Sequence, residues 1–264
     1  MPTTLISQVS ELAPYLDRWR QWAPSPMQSP EWLLNWWQVY QTSASRLAVL
    51  LVHNSGGTLQ GIAPFYFRDS WLQGRSVRFL GSGRVCSDFQ SLLAAPGQHC
   101  LVAETVAQWL GSVTGEQRWD FVELQGIAAD DEAISQLSVG FKQRGCWLQT
   151  SELAHTWRLD LSGGWEGYLQ SLSRTQRRQT RNIVNRFDKN EALTVSHARS
   201  GQAAQTALDH CMELHQRRWN ASGEIGCFFD GRFRKFVQQA CLALADRGQL
   251  DVILLADQGK PIAG

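Results

Sequence analysis

No stretch of this 264-residue chain approaches the roughly 20 consecutive apolar residues that a helix needs to cross a bilayer. The longest apolar runs are Leu47–Val52 and Val252–Ala256, so a helical membrane span is excluded. The first residues, Met1–Leu12, lack a basic segment followed by an apolar core. That excludes a secretory signal and makes the cytoplasm the expected location. Neither sign of charge is in excess: 25 Lys and Arg against 24 Asp and Glu leave +1. There is no whole-molecule basic field of the kind that holds DNA, and any electrostatic partner has to be read locally. Charged residues make up only 19% and hydrophobic ones 43%, which excludes a disordered composition and allows one large domain or two of ordinary size.

Paired cysteine motifs are also missing. Cys86, Cys100, Cys146, Cys211, Cys227 and Cys241 include no C-x-x-C, so buried free thiols are expected rather than a disulfide framework or a zinc cluster. His210 and His215 are about 140° apart around a helix and do not share a face, so no metal is expected. G-x-S-x-G, a Walker loop and H-E-x-x-H are all absent, which leaves serine, phosphate-loop and zinc-protease chemistry unsupported. Cys86 and Asp88 are close, but no histidine is evidently placed to activate a nucleophile.

What is present is a mixture of helix and strand signals. Ser29-Pro30-Glu31 opens a helix, with Trp32, Trp36 and Trp37 forming a stripe expected in the core. Arg46–His53, the turn Asn54–Gly57 and Thr58–Phe67 read as a β-hairpin. Further strands are expected at Arg75–Leu80, Asp120–Leu124 and Trp157–Leu161, with helices over Cys100–Val113 and Asp131–Arg144. The second part carries a basic helix, a strand at Ala192–Ser196, helices over Gln202–Trp219 and Phe233–Arg247, and a strand at Leu250–Ala256. The fold class is therefore mixed α/β.

Residues 1–164 hold 11 basic against 14 acidic side chains, net −3, and residues 165–264 hold 14 against 10, net +4. This shift, beside Ser162-Gly163-Gly164, suggests domains over 1–162 and 165–264. The two halves repeat a pattern. Leu50–Ala63 and Ile253–Ala263 are each an apolar strand, a polar glycine turn and a strand restarting in Ile-Ala. The second copy stops three residues into its strand, which gives the expectation that the chain is C-terminally truncated.

Ser173-Arg-Thr-Gln176 is a capping box that starts a helix at Arg174. Arg174, Arg177, Arg178 and Arg181 then lie within about 100° of one another, and Ile183, Val184 and Phe187 fall opposite as a packing face. Three arginines in the first turns run against the helix dipole, so the stripe either binds an anion such as a phosphate or carboxylate, docks on acidic residues of the N-terminal half, or is simply solvated. Arg78-Phe-Leu-Gly81-Ser-Gly83 follows a strand like a phosphate loop, but no helix start follows it, so it reads as a tight turn.

Taken in order, Ser29-Pro30-Glu31-Trp32, Gly61-Ile-Ala-Pro64, Arg78-Phe-Leu-Gly81, Ser87-Asp88-Phe89, Tyr168-Leu169 through Ser173-Arg174 to Arg177-Arg178, Arg218-Trp219 and Gly259-Lys-Pro-Ile-Ala263 resemble GNAT-superfamily proteins of the CelD cellulose-biosynthesis type, relatives of the FemAB aminoacyl transferases. The resemblance implies two tandem GNAT-like domains, the second incomplete, and an N-acyltransferase. Its donor would be acetyl-CoA or another acyl-CoA and its acceptor an amine or amino sugar, in exopolysaccharide or cellulose biosynthesis. It also implies that the glycine loop for the donor's pyrophosphate lies beyond Gly264, so the chain alone is expected to be unable to bind donor. Catalytic residues cannot be named from it. Two other implications are a FemAB-like enzyme, with the arginine stripe tracking tRNA phosphates, and a non-catalytic polysaccharide assembly factor.

Overall fold

The computed structural model describes residues 1–157 and 159–264. In chain order the elements are β1 (Thr3–Ile6), α1 (Leu16–Trp22), α2 (Pro30–Tyr40), β2 (Ser45–His53), β3 (Leu59–Ser70), β4 (Gly74–Phe79), β5 (Leu93–Ala94), α3 (His99–Ser112), β6 (Phe121–Glu123) and α4 (Glu132–Gln143). They continue with α5 (Gly164–Ser171), α6 (Arg174–Asp188), β7 (Leu193–Ala198), α7 (Gly201–Ala221), α8 (Gly231–Ala245), β8 (Val252–Asp257) and β9 (Lys260–Ala263). The class is mixed α/β, as expected. The segment expected as a strand at Trp157–Leu161 includes residue 158, which lies outside the described residues, and its described members are not strand.

Two compact units divide the chain elsewhere than at the charge shift. One comprises Met1–Thr150 with Cys227–Leu250, the other Ser151–Gly226 with Asp251–Gly264. The division differs from 1–162 and 165–264 because α8 buries Phe236 and Ala240 beside the tryptophans of α2, in the core of the first unit.

In the first unit the sheet runs β1-β2-β3-β4-β6, with β5 paired to β3. All pairs are antiparallel except β4 with β6. The apolar run Leu47–Val52 is buried throughout, and its alternate residues serve two cores. Ala48, Leu50 and Val52 join Val102, Val106 and Leu110 of α3 and Leu137 and Phe141 of α4. Leu47, Val49 and Leu51 join Trp19 of α1, Trp36 and Trp37 of α2, and Phe236. A strand covered on both faces has no polar side to alternate, which is why the sequence reads as a continuous run. Gly61 of β3 lets α3 approach, since a Cβ there would collide with the Val102 side chain. The tryptophan helix starts as expected: Ser29 Oγ accepts from Trp32 N at 3.3 Å, with Pro30 at the first position.

The second unit has a three-stranded antiparallel sheet, β7-β8-β9. α7 packs on these strands, and Val252 and Leu254 are buried. On the other pleat of the sheet Val195 and Ile253 stay 47% and 50% exposed. The two hairpins recognised as a repeat each add to a preceding antiparallel strand, β1 in the first unit and β7 in the second. Both hairpin ladders carry a register irregularity, at Val52/His53 and at Leu255/Ala256. The cysteines are not buried as expected: Cys86, Cys100 and Cys227 are exposed and Cys146, Cys211 and Cys241 partly so.

Candidate functional site

The capping box at the start of α6 is complete. Ser173 Oγ accepts from Gln176 N, and the Gln176 side chain accepts from Ser173 N, both at 3.3 Å. The arginines that follow do not act as one stripe. Arg177 turns back on its own unit, donating from Nε to Leu169 O at 2.7 Å and from Nη2 to Gln170 O and Leu172 O at 2.9 and 3.1 Å. It thereby donates to carbonyls at and just beyond the end of α5. Arg181 lies 3.7 Å from Glu166 of α5. Arg174 and Arg178 are exposed. The opposite side does not pack as expected, because no residue of α6 is buried and Ile183 is 67% exposed.

The second unit also carries a cleft of about 340 Å³ lined by His210, Glu213, Leu214, Arg217, Lys260 and Pro261. The first four are at i, i+3, i+4 and i+7 on α7 and so share one face. Lys260 and Pro261 arrive from a tight turn in which Gln258 and Gly259 both have positive φ, 49° and 77°, the backbone that a two-residue hairpin turn demands. Glu213 Oε2 is 3.9 Å from His210 Nδ1. Arg217 and Lys260 have no ion-pair partner among the described residues. Two uncompensated cations suit a carboxylate or phosphate, and an imidazole is the side chain best suited to take a proton from an ammonium near neutral pH. Sequence reasoning considered His210 only as a failed metal ligand and missed Glu213 and Arg217. Their helical spacing was a readable signal, but the facing Lys260 comes from another element.

At the far end of the sheet, Asp251 receives Arg199 Nη2 at 3.0 Å and faces His197 Nδ1 at 3.0 Å. The hydrogen bond from Arg199, followed by that from His197, holds the Asp251 carboxyl below the usual range. Asp251 precedes β8 and Lys260 follows it. At about 3.3 Å per residue the two groups are separated by roughly 20 Å, too far to act together.

The glycine loop of the first unit is a packed turn, as its sequence context suggested. Gly81 has φ 82°, and a Cβ there would meet Leu33 and Ser87 at 2.8 Å. Trp32 Nε1 donates to Ser87 Oγ at 2.9 Å, and Gln90 N to Gly126 O at 2.8 Å. Cys86 and Phe89 carry positive φ of 48° and 58°, a strained path pinned by these contacts. After β4 the chain passes through β5 before α3 begins, so the loop does not deliver amide groups from a helix start to a pyrophosphate. In the second unit the Gln176 amide at the start of α6 is taken by the Ser173 cap, and β7 leads to α7 through Arg199-Ser200-Gly201, whose arginine is tied to Asp251.

Residues 174–264 match the family described as "Acetyltransferase (GNAT) domain". That stretch contains the arginine helix and the whole cleft. A solved structure described as "a probable acetyltransferase" aligns over 61% of this chain and 99% of its own, at 15% identity and a TM-score of 0.36. No curated protein matches the chain.

Proposed function

We propose that the chain belongs to an N-acyltransferase with acyl-CoA as donor, and that its second unit binds the acceptor, a small amine that also carries a carboxylate or phosphate. The observation that carries this reading is the placement of the cleft inside the 174–264 acetyltransferase match. Arg217 and Lys260 supply the anion contacts, and His210, beside Glu213, takes the proton that an ammonium must lose before its nitrogen can attack a thioester. The order of motifs shared with CelD-type proteins supports an amino sugar of a polysaccharide as the acceptor class.

Calorimetric titration of the chain with amino sugars tests the acceptor site. An acidic or phosphorylated amino sugar is expected to bind, with Arg217→Ala and Lys260→Ala each weakening it by about tenfold or more, the loss of one charge-assisted contact. The neutral analogue is expected to bind as weakly as those variants bind the charged one. Equal binding of charged and neutral ligands, or no effect of either substitution, would overturn the assignment.

A further inference from the structure

No residue of α6 lines the cleft proposed for the acceptor. The segment Gly164–Lys189 carries six cations, Arg174, Arg177, Arg178, Arg181, Arg186 and Lys189, against Glu166 and Asp188, a net charge of +4. At 100° per residue the cations of α6 and the adjoining Lys189 occupy one side and its flanks, whereas Ile183, Phe187 and Val184 occupy an arc of about 100° on the other. In an ordinary surface helix that apolar arc would be buried. Here no residue of α6 is buried, and Ile183 and Val184 are exposed. The helix before it is similar: Trp165 is 52% exposed, its ring 5.6 Å from that of Tyr168. Arg177 fixes the two helices to each other through the carbonyls at the end of α5.

We propose that α5 and α6 form an interfacial docking element for an anionic lipid surface. Each feature has a counterpart at such a surface. The apolar arc enters the boundary between headgroups and acyl chains, the exposed Arg174, Arg178, Arg186 and Lys189 meet lipid phosphates, and an amphipathic indole sits at headgroup depth. Nucleic acid would engage the cations and leave Ile183, Val184 and Phe187 in water. A second copy of the chain would cover the apolar arc while bringing two +4 segments together. A lipid surface accounts for both faces at once.

Co-sedimentation of the chain with vesicles tests this. With phosphatidylcholine vesicles containing about a third phosphatidylglycerol, bound protein is expected to exceed that on pure phosphatidylcholine by at least about tenfold, given the attraction of each basic side chain to an anionic leaflet. Arg174→Glu with Arg178→Glu should abolish the difference. Ile183→Ser with Phe187→Ser should lower binding to anionic vesicles by about tenfold at unchanged helicity, because these side chains are not part of the core. Vesicle binding unaffected by the apolar pair would overturn the proposal. So would tRNA binding that persists in the apolar variant while vesicles go unbound, or a concentration-dependent dimer that the same pair dissolves.

Discussion

The two units are built on the same three-strand pattern but finish it differently. In the first, β2 lies inside a sheet with helices on both sides, and its residues feed two separate cores. In the second, α7 packs on the sheet while Val195 and Ile253 on the other pleat remain half exposed. Stability should therefore be concentrated in the first unit, and binding chemistry in the second, where uncompensated charge and apolar surface both remain accessible.

Deleting a large buried group offers the strongest test of that contrast. Trp19 is fully buried, and its Nε1 donates to Gln28 O at 2.8 Å. Trp19→Ala should cost about 3–5 kcal/mol by urea denaturation, against about 0.5 kcal/mol or less for Val195→Ala in the second unit. Comparable losses would erase the distinction. A smaller effect is expected from Gly126, which has φ 71° and whose Cβ would strike Ser87 O. Gly126→Ala should destabilise by about 2–3 kcal/mol, and Gly57→Ala, with φ 79° but open space around it, by only about 1 kcal/mol. The difference between these two measures how tightly the loop over Ser87 is held.

Within the second unit, Arg177→Ala should free the end of α5. The expected cost is about 1 kcal/mol, with faster proteolytic cleavage near Leu172 and no change in hydrogen exchange of β2. The smallest effect concerns pH. Asp251 is held below its ordinary range by Arg199 and His197, so its contribution is present above the unfolded carboxyl range and is lost as pH falls through the lower folded value. Asp251→Asn should flatten that acid limb, below about pH 4, for the amides of β7 and β8, while those of β3 remain as in the parent.

Much of this architecture was legible in the sequence because it is set by local chemistry. The Ser29-Pro30 start, the capping box at Ser173 and the duplicated hairpins are all short-range patterns, and each forms where expected. The misreadings share a different cause. Arg177 belonged to a helical stripe by spacing, but its partners are carbonyls on a preceding helix, and nothing in a periodicity shows which way a guanidinium turns. The apolar arc of α6 was taken as a packing face because amphipathic helices usually bury one. The association of α8 with α2 joins residues about 200 apart in sequence, beyond the reach of any composition shift. The cleft was missed for the same reason, since Arg217 and Lys260 become neighbours only through the fold.

The central claim is acyl transfer to an amine, and the direct measurement is amine-dependent release of CoA thiol by the protein isolated from its own host at the length at which it is made there. Thiol release should saturate with an acidic or phosphorylated amino sugar. Arg217→Ala should raise KM for that acceptor by about tenfold with little change in kcat, the pattern of a contact made equally in ground and transition states. Thiol release that ignores the amine, no release at all, or transfer that requires aminoacyl-tRNA in place of acyl-CoA would contradict the account.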